Sequence, residues 1–146
     1  MKTRCLPDLN VWLALAVADH PHHRIARDWW MGEDSVIGFN RVTQLGLLRL
    51  LTTASVMGDK PLTNAGAWAV YDELCKDHRV QMFLQDSMAE HAFRTAAGVL
   101  RVSPKIWIDC YLAFFAAGCG ARVVTFDKAL RGYGVECLLL GSETAR

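Results

Sequence analysis

An α/β sandwich built around a mostly parallel central sheet is the fold this sequence predicts, and three observations carry it. Short apolar runs alternate with longer stretches of helical periodicity along the chain. Capping and turn residues fall between the runs, where helices should start and stop. The length of 146 residues and the 52% hydrophobic content suit one domain with a sizeable core, and no repeat, linker or low-complexity segment interrupts it.

Residues 3–8 read as a short strand and residues 9–18 as a helix entered directly after Asp8, so Asp8 stands at a strand's carboxyl end. Residues 22–30 suit a second helix closing at Gly32. A β run over residues 35–39 feeds an amphipathic helix over residues 40–51, with Asn40 as its N-cap. Residues 56–61 form a turn cluster containing Gly58 and Pro61, and Thr63 caps a helix reaching Lys76. Residues 79–84 then read as a strand, followed by a helix over residues 88–100. Ser103 and Pro104 offer an N-cap and a first-turn proline to a helix through Ala117, which Gly118 and Gly120 end. Residues 121–126 are a buried strand ending at Asp127, and residues 136–140 a last short one. In such a sheet ligands bind in the crevice beyond the carboxyl ends of the strands.

Composition narrows the function. Sixteen basic residues face fifteen acidic ones, which argues against a general polyanion binder and leaves nucleic-acid contact to a local basic rim. Arg41, Arg49, Lys105, Lys128 and Arg131 fall near the expected crevice-side ends of elements and are the candidates for phosphate contacts, Arg41, Lys105 and Lys128 foremost. The five cysteines are odd in number, widely spaced and without a C-x-x-C pair, and so read as small buried hydrophobes in a reducing compartment. The basic start followed by the apolar residues 11–18 mimics a short secretory signal, but Pro7-Asp8 divides the two halves. The longest membrane-span candidate is broken by Asp109. Together these features predict a soluble, cytoplasmic chain.

Asp8, Asp109 and Asp127 each stand almost alone in the most apolar stretches of the sequence. A buried carboxylate without a partner costs several kcal/mol, so such groups are kept for hydrogen bonding or for a cation. Two of them sit at strand ends, and Asp109 lies about a turn inside the helix leading into the second of those strands. Three carboxylates on one crevice are tolerated around a hard cation, and magnesium suits them because it takes oxygen ligands and keeps waters that a phosphate can replace. The chemistry that follows is phosphodiester hydrolysis by water that the metal acidifies.

These residues resemble the PIN-domain nucleases, particularly the VapC-type toxins of toxin–antitoxin pairs. The resemblance is carried by Asp8-x-Asn10, by residues 41–52 with Gln44, by Trp107-Ile108-Asp109 and by Val124-Thr125-Phe126-Asp127, and it runs nearly the full chain. It implies a PIN-like three-layer α/β/α sandwich and a magnesium- or manganese-dependent endoribonuclease that cuts structured RNA. It also implies restraint by a small antitoxin and a homodimer. Asp8, Asp109 and Asp127 become the metal ligands, with Asn10 and Thr125 as supporting hydrogen-bond partners. One departure stands out: Gln44 occupies the position where the family commonly has a glutamate. Glutamine still offers a carbonyl oxygen, but it removes a negative charge and should weaken metal binding.

Other readings of the same residues remain. Asp8 and Asp127 can each cap the helical turn that follows, whereas an aspartate inside a helix, as Asp109 is expected to be, has no such role. His20, His22 and His23 lack the spacing of a transition-metal site and read as a turn. A haloacid-dehalogenase-type phosphatase needs an acid where Asn10 stands, and a response-regulator receiver needs an acid pair that Leu6-Pro7-Asp8 does not supply. A non-catalytic PIN-like module binding RNA or protein is the rival that Gln44 supports. Trp29, Trp30, Tyr71 and Phe83 are candidates for the apolar surface an antitoxin would cover, if exposed.

Overall fold

A computed structural model of the chain describes residues 2–141. Five strands, β1 (Arg4–Pro7), β2 (Val36–Phe39), β3 (Val80–Met82), β4 (Ala121–Thr125) and β5 (Cys137–Leu139), form one sheet in the order β3-β2-β1-β4-β5. Every pairing is parallel. The helices are α1 (Leu9–Ala16), α2 (His23–Gly32), α3 (Arg41–Leu51), α4 (Asn64–Cys75), α5 (Ser87–Gly98) and α6 (Ile106–Gly118), with a 3-10 helix at Lys128–Tyr133.

Strand alternation sorts the core into two layers. Cys5, Ile37, Phe39 and Val124 face a cluster filled by Val11, Trp12, Leu47, Leu51 and Ala67 from α1, α3 and α4. Trp12 stacks on Phe39 with ring centroids 3.7 Å apart. Leu6 and Val123 face the other way, against Leu112, Phe115 and Ala116 of α6 and Leu130 of the 3-10 helix. The sandwich therefore has three layers, as expected.

Several helix starts follow the chemistry of their caps. Asn40 Oδ1 accepts from the Thr43 N–H at 2.8 Å while Thr43 Oγ1 accepts from the Asn40 N–H at 3.0 Å, a reciprocal box that fixes α3 directly beyond β2. Thr63 caps α4 through the Gly66 N–H. The start of α6 differs from expectation. Ser103 accepts from the Lys105 N–H at 3.3 Å within a turn, Pro104 lies outside the helix, and α6 begins at Ile106 without a side-chain cap. The hydroxyl of Ser103 is spent on the turn, one step short of the helical N–H groups.

After β3 the chain doubles back beneath the sheet. The Phe83 N–H donates to Phe39 O at 2.7 Å, and the Phe83 ring fills the space under Gly38, where an added Cβ would stand 2.3 Å from it. The Arg4 guanidinium lies 4.1 Å from the centroid of the same ring. Leu84 O then meets Cys119 Sγ beyond the end of α6, and Ala89 at the start of α5 meets Gly118. The two helices thus form an antiparallel hairpin whose far tip, residues 99–105, reaches the carboxyl edge of the sheet.

Candidate active site

The strand register assembles the floor of the crevice. Pro7 pairs with Val124, so the next residues along, Asp8 and Thr125, come side by side and project to the face covered by α6. Thr125 Oγ1 donates to Asp8 Oδ2 at 2.9 Å, and Asp8 Oδ1 accepts from the Leu9 N–H at 2.7 Å. Burial pushes the Asp8 carboxyl above the usual range, the two hydrogen bonds draw it back, and the neighbouring Asp127 raises it again.

Asp127 follows the end of β4. Its N–H donates to Thr125 Oγ1 at 2.9 Å, and its Oδ1 accepts from the Ala129 N–H at 2.9 Å. Asp8 and Asp127 therefore do cap the turns after them. Capping occupies Oδ1 of each, and among the described residues Oδ2 of Asp127 has no hydrogen-bond partner.

Asp109 is placed in the first turn of α6, not deep inside it, because the helix begins three residues before it. An acid there is favoured by the helix dipole, so helix propensity is no argument against it. Its surroundings are the argument. Among the described residues neither Asp109 oxygen has a hydrogen-bond partner, and none of the three aspartates joins an ion pair. Burial first, then the charges of Asp8 and Asp127, push the Asp109 carboxyl up to about 6. The structure thus brings the three acids within electrostatic reach of one another.

The supporting residues fare unequally. Thr125 is fully buried and bonds to two of the three aspartates. Asn10 Oδ1 accepts from the Phe126 N–H at 3.5 Å, a long contact that ties α1 to the end of β4. Gln44 is buried, and its Oε1 accepts from Arg41 Nη1 at 2.5 Å. Gln44 also neighbours the Tyr71 hydroxyl, which burial and Cys75 push up to about 12 while Gln44 and Arg41 act against them.

Arg41, Lys105 and Lys128 are exposed at the starts of α3, α6 and the 3-10 helix. Lys105 stands four residues before Asp109, on the same side of the helix. Arg49 does not share this edge: it lies in the last turn of α3, and Arg49 and Trp68 line one groove between α3 and α4. Arg131 acts on Cys137 of β5.

Tyr133 went unnoticed in the sequence. Burial raises its phenol, and Asp109 and Asp127 raise it further, which places it beside the acids. A lone tyrosine in a Gly-rich turn carries no sequence signal. The histidines hold a turn: His20 Nδ1 accepts from the His22 N–H, His23 Nδ1 lies 2.7 Å from Ala14 O, and His22 stacks on Phe126. The exposure required of an antitoxin-covered apolar surface is not found at the four named aromatic residues. Phe83 is buried, and Trp29, Trp30 and Tyr71 are half-buried in aromatic contacts. A groove of about 420 Å³ lined by Leu15, His23, Arg27, Trp30, Glu73 and Asp77 includes none of Asp8, Asp109 and Asp127.

The donor set suits a hard divalent cation. It offers carboxylate oxygens, two of them partly desolvated and held above their usual range by burial and mutual repulsion, which a cation would relieve. Among the described residues no three His, Cys, Asp or Glu side chains enclose an ion by themselves. Magnesium needs only one or two direct carboxylates and fills the rest of its shell with water. No described helix is long and apolar enough to cross a membrane.

Comparison with known proteins places this architecture. A PIN domain family model matches residues 5–136. Ribonuclease VapC41 of Mycobacterium tuberculosis is 42% identical over 142 residues, covering 92% of this chain and 97% of the relative. Ribonuclease VapC29 of the same organism is 46% identical over 125 residues, covering 86% of each. Among solved structures, Mycobacterium tuberculosis VapC20, a toxin that cleaves the sarcin-ricin loop, superposes with a TM-score of 0.66 at 16% identity, covering 90% of this chain and 95% of that one. At that identity the likeness speaks for the fold alone. With the family model matching a span that holds the α5–α6 hairpin and all three aspartates, and a relative 42% identical over most of the chain, the chain belongs to the PIN-domain family, in its VapC branch.

Proposed function

We propose that this protein is a metal-dependent endoribonuclease toxin that hydrolyses RNA phosphodiester bonds and is held inactive by a cognate antitoxin. The observation that carries the reading is the convergence of Asp8, Asp109 and Asp127 at the carboxyl edge, with Asp109 pushed up to about 6 by burial and its two acidic neighbours. The ribonuclease names of the 42% and 46% identical relatives support it. A solved complex, VapBC2 of Rickettsia felis bound to a fragment of its promoter DNA, supports the antitoxin partner by analogy of fold.

In this reading Asp8, Asp109 and Asp127 would hold Mg2+ or Mn2+, which would supply an acidified water and stabilise charge on the phosphate. Thr125 orients Asp8 and the Asp127 backbone, and Asn10 ties α1 to β4 behind them. Lys105, Lys128 and Arg41, the last steered by Gln44, contact RNA phosphates. The chain acts in the cytoplasm as a homodimer.

The test is direct. Purified protein should cut RNA in magnesium or manganese and stop in chelator, and Asp8→Asn should remove the activity; cutting that survives chelation or that substitution overturns the reading. One observation favours a second reading, a catalytically weak PIN-like binding module: Gln44 brings no charge and is paired with Arg41. Calorimetry separates them, since absent metal binding at millimolar manganese together with intact RNA selects the module.

A further inference from the structure

The tip of the α5–α6 hairpin exposes apolar side chains that the described residues leave uncovered. Val99 is 85% exposed, Val102 99%, Trp107 56% and Ile108 55%. Apolar groups gathered in this way mark an interaction surface. The charge around them has one sign: between Glu90 and Asp109 the sequence contains Arg94, Arg101 and Lys105 and no acid. The complementary partner is anionic along its length and carries flat apolar faces. Single-stranded RNA has both, whereas a duplex hides its base faces in the stack.

Helix geometry sets the relation to the acids. Lys105 is one turn before Asp109 and shares its side, while Trp107, two residues before Asp109, points to nearly the opposite side. The indole and the carboxylate are therefore separated by about one helix diameter, roughly 10–12 Å. That span is within reach of a nucleotide next to one held at Lys105.

We infer that Trp107 is a stacking platform for an unpaired base flanking the cut, with Lys105 and Arg101 holding the adjoining phosphates. This deepens the ribonuclease reading and rests on it. Trp107 is more than half exposed and belongs to neither core cluster, so its replacement leaves the core untouched.

The experiment uses the full chain carrying Asp8→Asn, so that RNA is bound and not cut, and a short fluorescent single-stranded RNA of mixed sequence read by anisotropy. Trp107→Ala should weaken binding about tenfold, Trp107→Phe should keep most of the affinity, and Trp107→Leu should be as weak as alanine. Unchanged binding in Trp107→Ala overturns the inference, as does an Asp8→Asn protein that does not bind the RNA. Full affinity in Trp107→Leu also overturns it, because an apolar contact without a ring then suffices. Cleavage of RNA by the unmutated chain is scored separately: a chain that binds through Trp107 but never cuts sinks the nuclease reading alone, and one that cuts without needing Trp107 sinks the platform alone.

Discussion

The Thr125 hydroxyl donates to Asp8 Oδ2 at 2.9 Å and accepts from the Asp127 N–H at 2.9 Å, so one fully buried side chain sets the positions of two of the three carboxylates. Both bonds are lost together in Thr125→Val, which keeps the shape. We expect a stability loss of about 1–3 kcal/mol in chemical denaturation, since the Asp127 N–H is left without a partner. Activity should fall about 10–100-fold, as is typical when a group orienting a ligand is removed. Thr125→Ser, which retains the hydroxyl, should recover most of it; a serine variant as impaired as valine would show that the methyl, not the hydrogen bond, matters.

Asp109 predicts a pH dependence of stability with a definite sign. Its folded-state value of about 6 lies above the ordinary 3.8, so the protonated form favours the fold. That contribution is complete below the unfolded value and is lost as pH rises through about 6. Metal-free protein should therefore lose stability between pH 4 and pH 7 relative to an Asp109→Asn variant, whose neutral amide does not titrate, by about 1 kcal/mol once partial exposure is allowed for. Asp8, raised by burial, contributes in the same direction, whereas Glu33 and Asp77, held low by their partners, contribute oppositely. The quantity to read is the difference between the two denaturation profiles, and parallel profiles would contradict the assignment.

Gln44 leads to a prediction of small effect. Its carbonyl oxygen is occupied by Arg41, so Gln44→Glu should form an ion pair there and leave the carboxylate largely neutralised. Calorimetric Mn2+ affinity should change by less than about threefold, roughly 0.6 kcal/mol. A gain of tenfold or more would mean that residue 44 faces the ion.

Two glycines separate a rigid neighbour from a yielding one. A Cβ at Gly38 would stand 2.3 Å from the Phe83 ring, which is buried between the sheet and the doubled-back chain, whereas at Gly46 it would meet the Leu9 side chain, Cδ2 at 2.8 Å and Cδ1 at 3.2 Å. Gly38→Ala should cost about 1–3 kcal/mol or more through overpacking. Gly46→Ala should cost much less, because the end of Leu9 can turn aside and alanine favours the helix. Equal losses in thermal denaturation would show that the Leu9 contact is as rigid as the ring.

Lys105 offers an electrostatic test. If it binds a phosphate, Lys105→Ala should weaken RNA binding at low salt and reduce the steepness of log affinity against log salt by about 0.7–1. An unchanged slope would remove it from the interface.

Much of the fold could be read along the chain because each start and stop is written locally: Asn40 and Thr63 cap their helices as expected, and residues 121–125 are a strand because their apolar side chains suit burial on both faces. The start of α6 was misplaced for an equally local reason, since Ser103 can serve either a turn or a cap, and the distinction depends on where the hairpin tip is held. The candidate site was legible as three isolated carboxylates, but Tyr133 was not, and Arg49 was expected near the crevice although the last turn of α3 lies away from it.

By itself the sequence determined the alternation of strands and helices, the places of Asp8 and Asp127 at strand ends, and the absence of charges nearby to neutralise them. Only the tertiary structure decided that Leu6 and Val123 face the same layer as α6, and hence that Asp8 bonds to Thr125 within electrostatic reach of Asp109. The physical reason is range. Capping and periodicity act over a few residues and leave marks in the sequence, whereas the interaction among Asp8, Asp109 and Asp127 spans the chain and depends on sheet register, which no local pattern records.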